Sequence, residues 1–136
     1  MNFKHLLILT LLVGGCSSAD RLIPVTGKVN VNGKPAEGAV LMFHPADVSK
    51  ATASAIAEAD GGFKIFSNGE SGLVQGKYQV TVIYPDPAKK PTQAQIMMGT
   101  ADVGPDLLKG KYASKTATTL TAEITQASTA LPAFEL

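Results

Sequence analysis

The feature that most restricts the fold of this chain is a strict apolar–polar alternation between a glycine and a proline. Gly76 opens the segment and Pro85 closes it; between them Tyr78, Val80, Val82 and Tyr84 alternate with Gln79, Thr81 and Ile83. Side chains two residues apart lie on the same face of a β-strand, so this pattern predicts a strand with one buried face. Such a strand is not stable alone, and the rest of the chain must supply its partners.

The same period of two recurs at short intervals along the chain. It predicts further strands over residues 25–31, 39–44, 51–58, 63–65, 120–124 and 134–136, which makes about seven strands in all. In the weakest of them, Ala53, Ala55 and Ala57 are the residues that would face a sheet. Because no convincing helical pattern occurs among these segments, the sequence predicts an all-β fold, an antiparallel β-sandwich of about seven strands.

Turn signals separate the predicted strands. Asn32 and Gly33 both tolerate a positive φ and therefore favour a tight hairpin. Asp60 precedes two glycines, and its carboxylate is suited to accept hydrogen bonds from the amides that follow it. Residues 67–75 are polar and contain glycine, so we expect a loop there.

Residues 85–108 are the least regular part of the chain. They contain four prolines and two glycines, with a helical turn predicted over residues 93–98. Long loops in compact domains are often functional or mobile. We expect Met97 and Met98 to fill space beneath this loop; the alternative is an adaptable contact patch.

A short apolar segment precedes all of these strands. Lys4 is followed by an apolar run over residues 6–13 and then by Gly14, Gly15 and Cys16, the only cysteine of the chain. The run is too short to cross a bilayer, which takes roughly 20 apolar residues in a helix. A basic start, a short apolar run and small residues are typical of a secretory leader. The alternative is a buried N-terminal helix with Cys16 as a packing residue.

The residues around Cys16 resemble the lipobox of bacterial lipoproteins. The resemblance implies that residues 1–15 are a cleaved signal peptide and that the thiol of Cys16 carries a diacylglycerol, with a fatty acyl group such as palmitate on the new amine. Residues 16–24 would be a lipidated tether and residues 25–136 the folded domain. The protein would then lie in the cell envelope, attached through membrane lipid on the non-cytoplasmic side.

The charge balance excludes one class of partner. Lysine and arginine total 12 and aspartate and glutamate total 11, and the only arginine is Arg21. A balanced surface lacks the electrostatic attraction on which nucleic-acid binding depends. We therefore expect no nucleic-acid partner.

Several motifs together resemble a known family. The motifs Val25-Thr26-Gly27-Lys28-Val29, Asn32-Gly33-Lys34-Pro35 and Gly38-Ala39-Val40, followed by Ala59-Asp60-Gly61-Gly62-Phe63 and Gly76-Lys77-Tyr78-Gln79-Val80-Thr81-Val82, resemble carboxypeptidase-regulatory-like domains. The closing Lys111-Tyr112-Ala113-Ser114 and Leu120-Thr121-Ala122-Glu123-Ile124 resemble small planctomycete lipoproteins. The resemblance implies a transthyretin-like (prealbumin-like) sandwich and an envelope location, and it implies no particular activity.

Few residues are candidates for chemistry. Relatives with the transthyretin fold that hydrolyse 5-hydroxyisourate use several histidines, an arginine and a C-terminal Tyr-Arg-Gly-Ser, whereas this sequence ends Ala-Phe-Glu-Leu. With His5 in the leader, His44 stands alone, and we expect it at the surface or at a strand edge. We therefore expect no enzyme and no catalytic, cofactor-binding or metal-binding residues. A hydrolase of the hydroxyisourate type is the alternative.

The acidic residues have a second interpretation as calcium ligands. Glu58 and Asp60 lie close in sequence and Asp47 would have to join them in space, but their spacing is not that of a calcium loop. Hairpin turns are the favoured interpretation, and the same holds for Asp102 and Asp106 on either side of a Gly-Pro pair.

These expectations combine into one functional hypothesis. The chain is predicted to be a lipid-anchored, non-enzymatic envelope module that binds or packs against an envelope protein or polymer. The predicted contact is made by residues 85–108 or by an exposed edge strand that accepts a partner strand. A packing protein of the envelope with no specific ligand is a further alternative.

Overall fold

The computed structural model describes residues 21–89, 91–100, 104–127 and 130–136. Cys16, the predicted signal peptide and Asp102 lie outside these residues. Twelve strands are present: β1 Leu22–Ile23, β2 Thr26–Val31, β3 Lys34–Pro35, β4 Val40–Pro45, β5 Ala53–Ile56, β6 Gly62–Lys64, β7 Phe66–Ser67, β8 Glu70–Ser71, β9 Leu73–Val74, β10 Gly76–Ile83, β11 Thr121–Ile124 and β12 Phe134–Glu135.

Two helical turns interrupt the strands, a 3-10 turn at Pro87–Lys89 and helix α1 at Gln93–Met97. The helical turn predicted over residues 93–98 is confirmed by α1. Neither element, within the described part of the chain, has the length or the apolar character needed to span a bilayer.

The larger layer is a six-stranded sheet in the order β11-β10-β4-β5-β7-β8. All of its pairings are antiparallel. β10 lies near one edge and pairs along six residues with β4, so that Val80 faces Phe43 and Val82 faces Leu41. The strand with the clearest sequence pattern thus holds the longest pairing of the sheet.

The smaller layer is built around β2. β2 pairs antiparallel with β3 and β6 and parallel with β12. The parallel pairing of β12 is the exception to the predicted antiparallel arrangement. A separate two-stranded pairing joins β1 to β9.

The two layers enclose one hydrophobic core. The inward residues of the six-stranded sheet include Leu41, Phe43, Val80 and Val82, and all four are fully buried. Phe63, from the smaller layer, packs on Phe43 with ring centroids 6.2 Å apart. The predicted all-β sandwich is therefore confirmed.

Close contact within the smaller layer depends on Gly27. A Cβ at this position would lie 2.9 Å from Phe63 Cε2 and closer still to Cζ, whereas real side chains do not approach so closely. The missing side chain leaves room for the outer edge of the Phe63 ring beside β2. Phe63 also stacks with Phe134, with centroids 6.3 Å apart.

The segment 62–67 belongs to both layers. β6 pairs with β2 in the smaller layer, and β7, two residues further on, pairs with β5 in the larger one. Ile65 lies between them and is fully buried. The chain crosses from one sheet to the other at this residue.

Two segments differ from the sequence-based expectation. Residues 67–75, predicted as a loop, contain the end of β7, the whole of β8 and the whole of β9, so this prediction was wrong. Asn68 and Gly69 both have positive φ and close the β7–β8 hairpin. The last part of the predicted tether also forms β1, and Ile23 joins the core.

Candidate functional site

The outer face of the six-stranded sheet carries an unusual number of apolar side chains. Strand alternation sends one set of residues into the core and the other set outward. Outward positions on four neighbouring strands are occupied by Val40, Met42, Ile56, Phe66 and Ile83, and we name this set the apolar face. Ile56 is 65% exposed, Phe66 45%, and Met42 and Ile83 each 41%.

The register places these residues in two adjoining rows. One row runs Ile83, Val40, Ile56 across β10, β4 and β5, and the next runs Thr81, Met42, Ser54, Phe66 across β10, β4, β5 and β7. Residues directly opposite on neighbouring strands have Cβ atoms about 4.5–5.5 Å apart, so the rows are continuous. All seven residues are described, and none of them is charged.

The proline-rich start of the 85–108 segment borders the apolar face. A groove of about 200 Å³ is lined by Val40 and Ile56 from the sheet and by Pro85, Pro87 and Pro91 from this segment. The acidic residues Glu37 and Asp86 also line it. The groove extends the apolar surface beyond the strands.

The other end of the same sheet carries charged side chains. A groove of about 560 Å³ crosses the ends of β4, β10 and β11 and is lined by His44, Val48, Lys77, Gln79, Lys115 and Glu123, among others. Gln79 Nε2 donates a hydrogen bond to the carbonyl oxygen of Lys115, which holds one wall of the groove against β10. This groove combines positive and negative side chains, unlike the apolar face.

His44 sits at the boundary between the two ends. Its Nε2 shares a hydrogen bond with Thr81 Oγ1 at 3.0 Å. Partial burial lowers the pKa of His44 below 6.5, and the nearby charge of Lys115 lowers it further. The imidazole is therefore mostly neutral at neutral pH. His44 was expected at the surface or at a strand edge, and it lies half-buried near the end of β4, an interior strand of the sheet.

The acidic residues considered as calcium ligands serve in turns. Asp60 Oδ1 accepts a hydrogen bond from the Gly62 amide at 2.9 Å, as the sequence predicted. Asp47 Oδ1 accepts from the hydroxyl and the amide of Ser49, and these two hydrogen bonds lower the pKa of Asp47. Among the described residues, no three His, Cys, Asp or Glu side chains are grouped closely enough to hold a metal ion.

Asp106 closes the base of the 85–108 segment. Its Oδ1 accepts hydrogen bonds from the amides of Tyr84 at 2.9 Å and Leu108 at 3.0 Å, and its Oδ2 accepts from Gly110 at 2.9 Å. The Leu107 amide donates to the carbonyl of Tyr84 at 2.8 Å. One carboxylate thus joins both ends of the long loop to β10.

The methionines of this loop correct an expectation. Met97 is 82% exposed and Met98 is 75% exposed, so they do not fill space in the core. The prediction of core filling was wrong: α1 is a short helix of five residues, and both methionines at its end are largely exposed.

The apolar face was not predicted from the sequence. The signal that identifies it is an apolar residue at an outward position of an alternating strand. Met42 between Leu41 and Phe43, and Ile83 between Val82 and Tyr84, are such residues. Phe66 could not be assigned to an outward position from the sequence because its strand has only two residues.

Comparisons with protein-family models, with curated protein sequences and with solved structures each give no match for this chain.

Proposed function

We propose that this chain is a lipid-anchored, non-enzymatic module of the cell envelope that works by surface contact. Its domain is a transthyretin-like sandwich of the carboxypeptidase-regulatory-like kind, held to a membrane on the non-cytoplasmic side through Cys16. The observation that carries the proposal is the apolar face, which lies in two uncharged rows of outward residues and in which Ile56, Phe66, Met42 and Ile83 are 41–65% exposed.

The order of segments in the sequence supports the location. Lys4, the apolar run 6–13, two glycines and Cys16 directly precede a β domain whose first strand starts at Leu22. A diacylglycerol on the Cys16 sulfur supplies two acyl chains, and two chains anchor a protein durably because each buried methylene contributes about 0.8 kcal/mol. The lipid would fix the domain near the bilayer surface.

The chemistry of the outer face supports contact rather than catalysis. Nucleophilic and acid–base catalysis need a nucleophile or acid held within hydrogen-bond reach of a partner of matched pKa. His44 is paired with a threonine hydroxyl, and the charge of Lys115 disfavours its protonation. Transfer of Ile, Met and Phe side chains out of water lowers the free energy, and this change drives the association of apolar binding surfaces.

The attachment is tested by replacing the lipidated residue. In Cys16→Ser, expressed in a bacterium with a lipoprotein pathway, we expect no incorporation of labelled palmitate and no cleavage before residue 16, both read by gel and by mass spectrometry. Ser17→Ala is the matched control and should be processed normally. A Cys16→Ser protein that is still cleaved at that bond and still pelleted with membranes would contradict the proposal.

A further inference from the structure

We propose that the apolar face rests on the membrane that holds the lipid anchor, so that its partner is the interfacial region of a phospholipid bilayer. The proposal depends on the lipidation of Cys16 proposed above. It assigns to the outer face of the six-stranded sheet a ligand class, a lipid surface, and an orientation of the domain.

The reach of the chain keeps the domain close to its anchor. Residues 17–21 separate Cys16 from Leu22. A chain extends at most about 3.3–3.6 Å per residue, so Leu22 lies within about 20 Å of Cys16 in any conformation. β1 is fixed to the fold because Leu22 pairs with Val74 and Ile23 with Leu73.

The chain enters the domain at the edge where the apolar face begins. The amide of Ile65 donates to the carbonyl of Val25 at 3.2 Å, and the amide of Gly72 donates to the carbonyl of Ile65 at 2.8 Å. Phe66 follows Ile65 directly and is the first member of the apolar face on that side. The tether and the apolar face therefore share one edge of the sandwich.

The composition of the face fits a lipid surface. Side chains of Ile, Met and Phe insert into the boundary between headgroups and acyl chains, and neither row contains a charge that would resist this. The tether already holds the bilayer beside the face, so even a weak apolar contact is populated through the high effective concentration.

A second copy of the chain is the other candidate occupant of the face. The anchor keeps Leu22 within about 20 Å of Cys16 and therefore close to the bilayer, whereas no such link holds a second copy beside the face.

The sequence contains no tryptophan, so a single introduced one reports its own surroundings. The full chain, lipidated in a bacterial host, is purified and reconstituted into phosphatidylethanolamine–phosphatidylglycerol vesicles with brominated acyl chains, which quench tryptophan that enters the bilayer. In Ile56→Trp and, separately, in Ile83→Trp, we expect emission to fall about two-fold relative to unbrominated vesicles.

The matched control places the reporter on the opposite side. Lys28 is exposed on β2 in the smaller layer, and Lys28→Trp should show no quenching. Thermal unfolding of each variant confirms that the sandwich is intact. If Ile56→Trp and Ile83→Trp, like Lys28→Trp, emit equally in brominated and unbrominated vesicles, the proposal is overturned. The same result is expected if a second copy or another protein covers the face.

Flotation on a density gradient distinguishes a failure of the proposed lipid attachment from a failure of the proposed orientation. Protein that does not float with the vesicles contradicts the proposed lipid attachment. Protein that floats, while Ile56→Trp and Ile83→Trp stay unquenched, leaves the attachment intact and contradicts only the orientation.

Discussion

At the level of single residues, Gly27 and Phe63 show how the smaller layer is packed. Gly27 lies on the inward side of β2, directly against the Phe63 ring. That ring is also in contact with Phe43 of the opposite layer and with Phe134 of β12. One missing side chain thus permits an aromatic cluster that joins both sheets.

Gly27→Ala should destabilise the domain by about 1–3 kcal/mol, because a methyl group there overlaps the Phe63 ring and forces it from its site. The free energy of unfolding from urea titration measures the loss. In a double-mutant cycle, Phe63→Leu should make the same alanine substitution less costly, since the smaller side chain leaves room for a Cβ. If Gly27→Ala destabilises the wild type and the Phe63→Leu variant equally, the Phe63 ring is not the reason that position 27 requires glycine.

His44 gives the stability a pH dependence of predictable sign. Burial and the charge of Lys115 place the pKa of His44 below 6.5 in the folded protein, so the unfolded chain binds more protons between the folded pKa and 6.5. Stability therefore rises with pH through that window and falls as the pH drops below about 6.5. Urea midpoints measured from pH 5 to 8 should show this slope, and His44→Gln should flatten it.

Lys115→Gln is the control for the cause of the shift. It removes the repelling charge but leaves the burial of the imidazole, so the slope should weaken without disappearing. An unchanged slope in His44→Gln would assign the pH dependence to other groups.

At the level of elements, the sequence-based prediction was most accurate for the strands that bury the most apolar residues. β10, with eight residues, was predicted nearly to its ends, and the alanines of β5 were placed on the correct face. β1, β7, β8 and β9 have two residues each, too few for a period of two to be visible. The pairing of β1 with β9 and the parallel contact of β12 with β2 both join segments that are distant in sequence.

The base of the 85–108 segment depends on one carboxylate. Asp106→Ala removes three acceptor contacts to the amides of Tyr84, Leu108 and Gly110, and should cost about 1.5–3 kcal/mol, since these are hydrogen bonds to a charged group. Hydrogen exchange at these three amides should accelerate by more than global unfolding explains.

Asp106→Asn is the matched variant for this element. Its one remaining carbonyl oxygen can still accept from Tyr84 and Leu108, whereas the contact with Gly110 is lost. Protection should therefore be lost mainly at Gly110. Wild-type exchange rates at all three amides in the alanine variant would show that the carboxylate does not hold the loop ends together.

At the level of the whole molecule, the sequence was informative about the fold and much less so about the site. A period of two identifies the inward side of a strand, and the two-layer core followed from it. The apolar face depends on which outward residues become neighbours across β10, β4, β5 and β7, and strand order is not a local property. Met42, Ile56 and Phe66 lie far apart in sequence, and only the register brings them together.

The crossing of segment 62–67 between the sheets has a consequence for how this domain can change in evolution. One added or deleted residue in this segment would exchange buried Ile65 with exposed Phe66, and the shift would have to be accommodated by β2 and β5 at once. Between Asp86 and Pro105 no strand pairing constrains the described residues, so changes in chain length are absorbed there. Insertions and deletions in descendants of this gene should therefore accumulate in residues 85–108 and be eliminated by selection from residues 62–67.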